Sequence, residues 1–313
     1  MKNKTLVSIA GLGNVGLAVA ERLNNLGFEI DFVALGKTQK TIETSFGKEI
    51  AVVEMDDYRQ VISNEEFDAD YIVVCVAGDV LEEHLDTLFL SKKPLIILST
   101  KYDERAVVDK CLNYGYPVIL SPNMALPVLD FWKRLKTLNK SDYVEIVEAT
   151  ESHPGFKKDV SGTLVNTLDI CNSVGIGADF DIRDAKREYK EHKNAKVGCV
   201  TWIRNPDTQK QQFNDFMKDE FVEAHAYHEY LFEGNHTPAA KSYLDDMYYL
   251  LEDLEDHSNE NLAFSVSISE DLNSLKVRHY INGRTIYGDG VAECIAFIEE
   301  GNNIVYSGID VVS

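Results

Sequence analysis

TLVSIAGLGNVGLAVAERLNNLG, residues 5–27, decides the fold. Thr5 to Ala10 is a short β-prone apolar run, GLGNVG occupies 11–16, and AVAERLNNLG has helical periodicity. In a strand–GxGxxG–helix unit the first glycine permits a tight turn and the second lets a pyrophosphate approach the backbone. The third lets the helix pack close to the strand. With a second β-run, FEIDFVAL, directly behind it, the motif predicts a dinucleotide seat at Gly11, Gly13, Asn14, Val15 and Gly16. An ordinary glycine-rich turn is the competing reading. An NAD-selective site places an acidic residue near the end of the second strand. This chain reads ALGKTQK there, and Lys37 and Lys40 suit a 2′-phosphate, which favours NADPH modestly over NADH; two solvated loop lysines are the competing reading.

Working outward, apolar runs recur at 71–76 (YIVVCV), 95–98 (LIIL) and 117–120 (PVIL), with helical stretches around 80–89 and 104–112. Strands alternating with helices predict a doubly wound parallel sheet of Rossmann type. Ligands in such sheets lie at the carboxyl ends of the strands, which directs attention to Ser99 and Thr100 and to Ser121, Asn123 and Met124. Beyond Pro122 the pattern changes: a helix over 124–138, a strand over 144–149, a helix over 164–174, then long β-runs with few helices between them. That predicts a second α+β domain on an open mixed sheet. The expected division is 1–123 completed by 285–313 for the nucleotide, and 124–284 for substrate, catalysis and oligomerisation. A helical insertion falls near 236–258, where Tyr243, Met247, Leu250, Leu251 and Leu254 share one helix face. The C-terminal part should turn at Asn282–Gly283 and again at 288–290, enter a helix, and end in a β-run over 303–312.

EATESHPGFKKDVSGT, residues 148–163, reads as a reaction site. His153 has an imidazole whose ordinary pKa allows proton delivery near neutral pH. Lys157 and Lys158 add positive charge. Ser161, Gly162 and Thr163 open an apolar helical run, and a helix N-terminus offers unpaired N–H groups and partial positive charge to a carboxylate. A solvated basic loop with an ordinary serine cap is the plainer alternative.

The chain has 313 residues, 44% hydrophobic and 27% charged, with a net charge of −21. That charge argues against a nucleic-acid partner, which needs a concentrated basic surface. Any anionic small ligand must therefore meet local cations, and these cluster at 133–136 and 157–158. No apolar run approaches the roughly 20 residues of a membrane span, and the expected compartment is the cytoplasm. Five scattered cysteines without a CxxC pair read as free thiols rather than disulfides or a metal site.

The combination resembles the dihydrodipicolinate reductase family, the NAD(P)H-dependent reductases of the diaminopimelate route to lysine, and within it the plant-type branch. The resemblance is carried by GLGNVG (11–16), SPNM (121–124), ESHPGFKKDVSGT (151–163), WIRNP (202–206), HAYHEY (225–230) and HYINGRTIYGDG (279–290). It implies that His153 is the proton donor, that Lys157 binds substrate, and that Ser161, Gly162 and Thr163 form the carboxylate-binding turn. It also implies that Arg284 lies near the nucleotide, and that the enzyme is a homo-oligomer, a dimer or tetramer, through its substrate domain. Two departures stand out. Pro154 occupies a position that is often a second histidine, and STKYD (99–103) lacks the glycines of the family's segment beside the nicotinamide. They leave room for a relative that reduces a different imine or oxidatively deaminates an amino acid. A non-catalytic NADPH-binding regulator would have no reason to keep both His153 and Lys157.

Overall fold

The computed structural model describes residues 4–34, 41–54, 57–60, 68–157, 160–189, 194–213, 223–258, 261–301 and 305–312. The chain forms two compact units, residues 1–129 with 284–313, and residues 130–283.

In the first unit the strands are β1 (Leu6–Ala10), β2 (Glu29–Ala34), β3 (Thr41–Glu43), β4 (Glu49–Glu54), β5 (Tyr71–Val74), β6 (Leu95–Ile97), β7 (Val118–Leu120) and, from the C-terminal segment, β15 (Val305–Ser307). They run in the order β15-β7-β6-β5-β1-β2-β4-β3, all parallel except the terminal β3–β4 pair. Sequence order reverses between β1 and β5, which is where a doubly wound sheet opens its ligand crevice. Alternation along the strands feeds two cores. Val7, Ile9, Phe32 and Val73 pack with α1 (Asn14–Asn25) and α9 (Ile286–Glu299). Ala10, Val33, Ile72 and Val74 pack with α2 (Gly78–Phe89) and α3 (Glu104–Leu112). Period-2 alternation is what burial on both sheet faces requires.

Four departures from the sequence reading have physical causes. The pair β3–β4 was not expected, because each strand is short and half-exposed. Gly288 and Gly290 are not a turn: α9 runs through both. A side chain at Gly290 would strike the carbonyl of Met124 and one at Gly288 would strike Arg22, so these glycines bring the helix close to its neighbours. The final β-run is only β15, followed by a 3-10 turn over Gly308–Val311 with a Ser307–Asp310 capping box. Finally, residues 124–129 belong to the first unit rather than the second, since Met124 lies in its core against Cys294.

The second unit holds a seven-stranded mixed sheet, β10 (Ala195–Val197), β11 (Val200–Ile203), β8 (Val144–Ser152), β12 (His225–Gly234), β14 (Ser274–Asn282) and β13 (Leu262–Ile268) in that order, with β9 (Gly177–Ala178) beside the start of β8. On one face lie α4 (Leu126–Thr137) and α5 (Gly162–Ser173), joined where Trp132 Nε1 donates to Thr167 Oγ1 at 2.9 Å and Tyr230 OH reaches the same oxygen at 3.1 Å. Ile203, Phe213, Tyr227 and Tyr280 form the core of the other face. Two short helices that the sequence reading did not anticipate, α6 (Ile182–Tyr189) and α7 (Pro206–Gln212), flank the β10–β11 hairpin in sequence. The amphipathic stretch becomes α8 (Pro238–Leu251) and a 3-10 turn (Glu252–His257), burying Leu244, Met247, Leu251 and Leu254. Arg134 anchors it by donating to the Leu250 carbonyl at 2.7 Å and pairing with Asp253.

The glycines of the first turn differ in what they permit. Gly11 has φ +123 and its missing side chain leaves room for the Cys75 carbonyl just after β5. A Cβ at Gly16 would collide with the carbonyl oxygen of Gly11, whereas one at Gly13 would meet nothing within 4 Å. Gly16→Ala should therefore destabilise by about 1–3 kcal/mol, as overpacking does. Gly13→Ala, at the N-cap of α1, should cost under about 1 kcal/mol. Urea unfolding of the two variants checks this ordering, and equal losses would contradict it.

Candidate active site

At the carboxyl edge of the first unit's sheet, Gly13 caps α1 without a side-chain hydrogen bond, and the helix has no acidic residue in its first turn. The N–H groups of a helix start and its partial positive charge favour an anion. The open volume at Gly13 is what a phosphate group needs, so Gly11, Gly13, Asn14, Val15 and Gly16 fit a dinucleotide. The other residues expected near it behave differently. Ser99 and Thr100 follow β6, with the Ser99 hydroxyl buried and lacking a partner among the described residues. In STKYD, Lys101 adopts φ +67, the left-handed conformation that glycine would favour, and its carbonyl lies against Gly78. The segment has lost its glycines but kept a glycine-like turn. Ser121 donates to the carbonyl of Asn123, whose side chain accepts from Ala125 N at 2.8 Å. Both residues thus shape the turn after β7, and Met124 spends its side chain in the core. Arg284 is half-buried just before α9. Lys37 and Lys40 lie outside the described residues.

The residues expected to carry chemistry in the second unit do come together, around the carboxyl end of β8. Register across the sheet places Trp202, Glu151, His228, His279 and Phe264 in one transverse row on the α4/α5 face. His153 follows two residues after Glu151 and is 8% exposed. Its main chain is held from both sides: N donates to the Ile203 carbonyl at 3.4 Å, and Gln209 Nε2 donates to its carbonyl at 2.6 Å. Pro154 then opens a tight turn, with Lys157 N donating to the Pro154 carbonyl at 2.9 Å, which brings half-buried Lys157 back toward the imidazole.

Beneath His153 lies a fully buried ion pair between Glu151 and Arg204, 0% and 1% exposed at their side chains. The second Glu151 oxygen accepts from Ser161 N at 2.9 Å. Ser161 Oγ in turn accepts from Thr163 N at 3.2 Å as the N-cap of α5. One anion at this helix start is thus the protein's own carboxylate. For a ligand, Ser161, Gly162 and Thr163 offer what that carboxylate leaves over, including the Ser161 hydroxyl proton. Glu151, Arg204, Gln209 and His228 were not singled out for chemistry from the sequence. WIRNP and HAYHEY contain two of them, but nothing in those strings says that a pairing register will bring them beside His153.

Burial, with the charges of Lys157 and Arg204 and the neighbouring imidazoles, holds His153 neutral well below the usual histidine range. Burial does the same to His228, aided by His279, Lys157 and Arg204, and alone it pushes His279 down to about 3. His225, on the opposite face, shares a 2.9 Å hydrogen bond with Ser152 Oγ. Glu151, His153 and His228 bring one ligand-type atom each within 4.8 Å of one another. Two histidines and a carboxylate can form a metal set. Here both carboxylate oxygens are committed to Arg204 and Ser161 N, and two cations stand close by. Those surroundings suit an anion.

A Rossmann-type unit joined to a second α/β unit on a mixed sheet is an architecture shared with known dehydrogenases and reductases. No protein family and no curated protein matches the sequence. Among solved structures the chain is similar to the dipicolinate-bound dihydrodipicolinate reductase of Paenisporosarcina sp. TG-14, with 14% identity and a TM-score of 0.57 over 99% of this chain and 100% of that one. It is also similar to aspartate semialdehyde dehydrogenase II of Vibrio cholerae, with 10% identity and a TM-score of 0.52 over 96% and 99%. These likenesses define the fold. Among the described residues no helix is long and apolar enough to cross a membrane.

The histidine row makes stability acid-sensitive. A histidine neutral in the folded state takes up a proton on unfolding once the pH falls below about 6.5, so the contribution of His279 to stability is lost between that value and about 3. Its full share of the slope is ~1.4 kcal/mol per pH unit. His279→Phe should flatten the fall in unfolding free energy between pH 6 and 4 by up to that amount, measured by urea titration at each pH. An unchanged slope would mean that His279 is protonated within the fold.

Proposed function

We propose that the protein is an NAD(P)H-dependent reductase of a cyclic imine dicarboxylate, with dihydrodipicolinate as its substrate and tetrahydrodipicolinate as its product. The observation that carries this reading is the site itself: a buried neutral imidazole, His153, flanked by Lys157 and Arg204 and set beside the start of α5. In a chain of net charge −21, Lys157 and the Glu151-paired Arg204 beside a neutral imidazole favour an anionic ligand over a cation. The family motifs, and likeness to a dipicolinate-bound reductase over the whole of both chains, support the same choice of substrate. GLGNVG in one unit suits a cofactor cradle and His153 in the other suits proton handling, and a reductase needs both. Bound nicotinamide supplies the hydride, and Lys37 and Lys40, which follow β2 in the sequence, favour NADPH as its form.

The chain's own part follows from electrostatics. Free His153 carries no spare proton at neutral pH. A dianion placed beside it reverses the balance, because opposite charge favours the protonated form. His153 then holds a proton at the moment negative charge develops on the ring and delivers it to the carbon next to the one that receives hydride. Lys157 stabilises the developing charge, where a fixed cation away from water is worth far more than in bulk solvent. Gly162, Thr163 and the Ser161 hydroxyl orient one carboxylate and so fix which ring face is presented.

NADPH consumption with enzymatically generated dihydrodipicolinate tests the reading. His153→Gln should lower kcat by on the order of 10²-fold or more with KM little changed. Lys157→Ala should damage both parameters, since the cation acts in the ground state as well as the transition state. Lys158→Ala, removing the same charge one residue away, should have little effect. Like behaviour of the two lysine variants would reduce the loop to a diffuse positive potential.

A further inference from the structure

The proposed reaction uses one imidazole, yet His228 is buried beside it without a role. It is 1% exposed, and neither of its ring nitrogens has a hydrogen-bond partner among the described residues; Nε2 of His153 is buried and unpartnered as well. The two rings stand edge to face, with centroids 5.3 Å apart and planes at 77°. One ring nitrogen of each lies within 4.8 Å of the other and of a Glu151 oxygen. A native fold rarely leaves so many buried polar atoms unsatisfied, and each one costs about 1–3 kcal/mol.

Polar atoms within that distance of one another can meet at a single oxygen, since two hydrogen bonds of ordinary length span it. A metal ion would face Arg204 and Lys157 and would compete for a carboxylate already in use. The occupant favoured by the charges is an oxygen of an anionic ligand. We propose that His228 and His153 form a two-imidazole subsite that grips one carboxylate oxygen of the substrate and takes up a single proton between them. This rests on the site being a dicarboxylate site. His228 thereby selects for a substrate with an anionic oxygen at that position and holds the His153 ring in its working orientation.

The groups that face His228 are consistent with one shared proton and not two. Glu151 lies next to it on β8, His153 and Lys157 follow on the loop, Arg204 comes after β11 and His279 is on β14, while His225 acts on it only through charge from the opposite face of its own strand. The only carboxylate among them is Glu151, already paired with Arg204. His279, its ring tilted at 36° with the centroid 4.6 Å away on the far side of His228, supplies the control: its ring nitrogens also lack partners among the described residues, but it faces Phe131 and Phe264 rather than His153.

Dipicolinate binding by calorimetry, with the full-length protein at several pH values, tests the proposal without turnover. His228→Phe should weaken binding at least tenfold at neutral pH and shift the pH dependence of affinity toward acid. His228→Gln or His228→Asn, which restore one polar atom, should recover part of the loss, and His279→Phe should stay within about twofold of the wild type. If wild-type protein does not bind dipicolinate, the dicarboxylate reading itself fails. If it binds and His228→Phe, folded by circular dichroism, binds as tightly with the same pH dependence, or if His279→Phe loses as much, the subsite is overturned.

Discussion

The buried pair between Glu151 and Arg204 is the constraint on which the candidate site depends. Desolvating two charges costs several kcal/mol each, and the pair persists only where further hydrogen bonds satisfy what remains of them. The second Glu151 oxygen receives Ser161 N, and Arg204 Nη1 donates to the Ile203 carbonyl at 2.9 Å. The pair thus fixes the end of β8, the end of β11 and the start of α5 relative to one another. His153 is carried by the first of these and the Ser161–Thr163 turn by the last. Removing either partner would leave a lone buried charge, a loss of about 3–5 kcal/mol.

The same pair sets the electrostatics. Glu151 neutralises Arg204 only in part as seen from His153 and His228, both of which still feel the guanidinium and Lys157 as charges that oppose protonation. The result is a site whose imidazoles are held neutral, and in the proposed reaction an arriving anion reverses that balance. On its ordinary pKa His153 reads as a ready proton source; in the fold it is held neutral, and in the proposed reaction it becomes a source once ligand charge is added. That coupling ties proton delivery to the presence of substrate and avoids a stored charge in an apolar surrounding.

Local signals were legible where local physics decides. GLGNVG after a β-run predicted a turn whose three glycines prove to differ in φ, open space and close approach. Strand and helix alternation gave the parallel sheet, and the Ser161 cap gave α5. What stayed hidden depends on pairing between distant segments. Nothing in HAYHEY distinguishes His228 from a core histidine until β12 is set against β8 with His228 opposite Glu151. Arg204 reads as a surface residue at a strand end, and only its 1% exposure and its partner reveal otherwise. Gly288 and Gly290 misled for the same reason, since the close neighbours that require them, Arg22 and Met124, lie far away in the chain.

Proton uptake on ligand binding tests the central claim most directly. Calorimetry of dipicolinate binding to the wild-type protein near pH 7.5, in two buffers of different ionisation enthalpy, gives the number of protons taken up per site. A value near one is expected, because a neutral pocket must acquire its proton as the dianion enters. A value of zero with tight binding would show that the imidazoles are already charged, or never become so, and would contradict a site held neutral by Arg204 and Lys157.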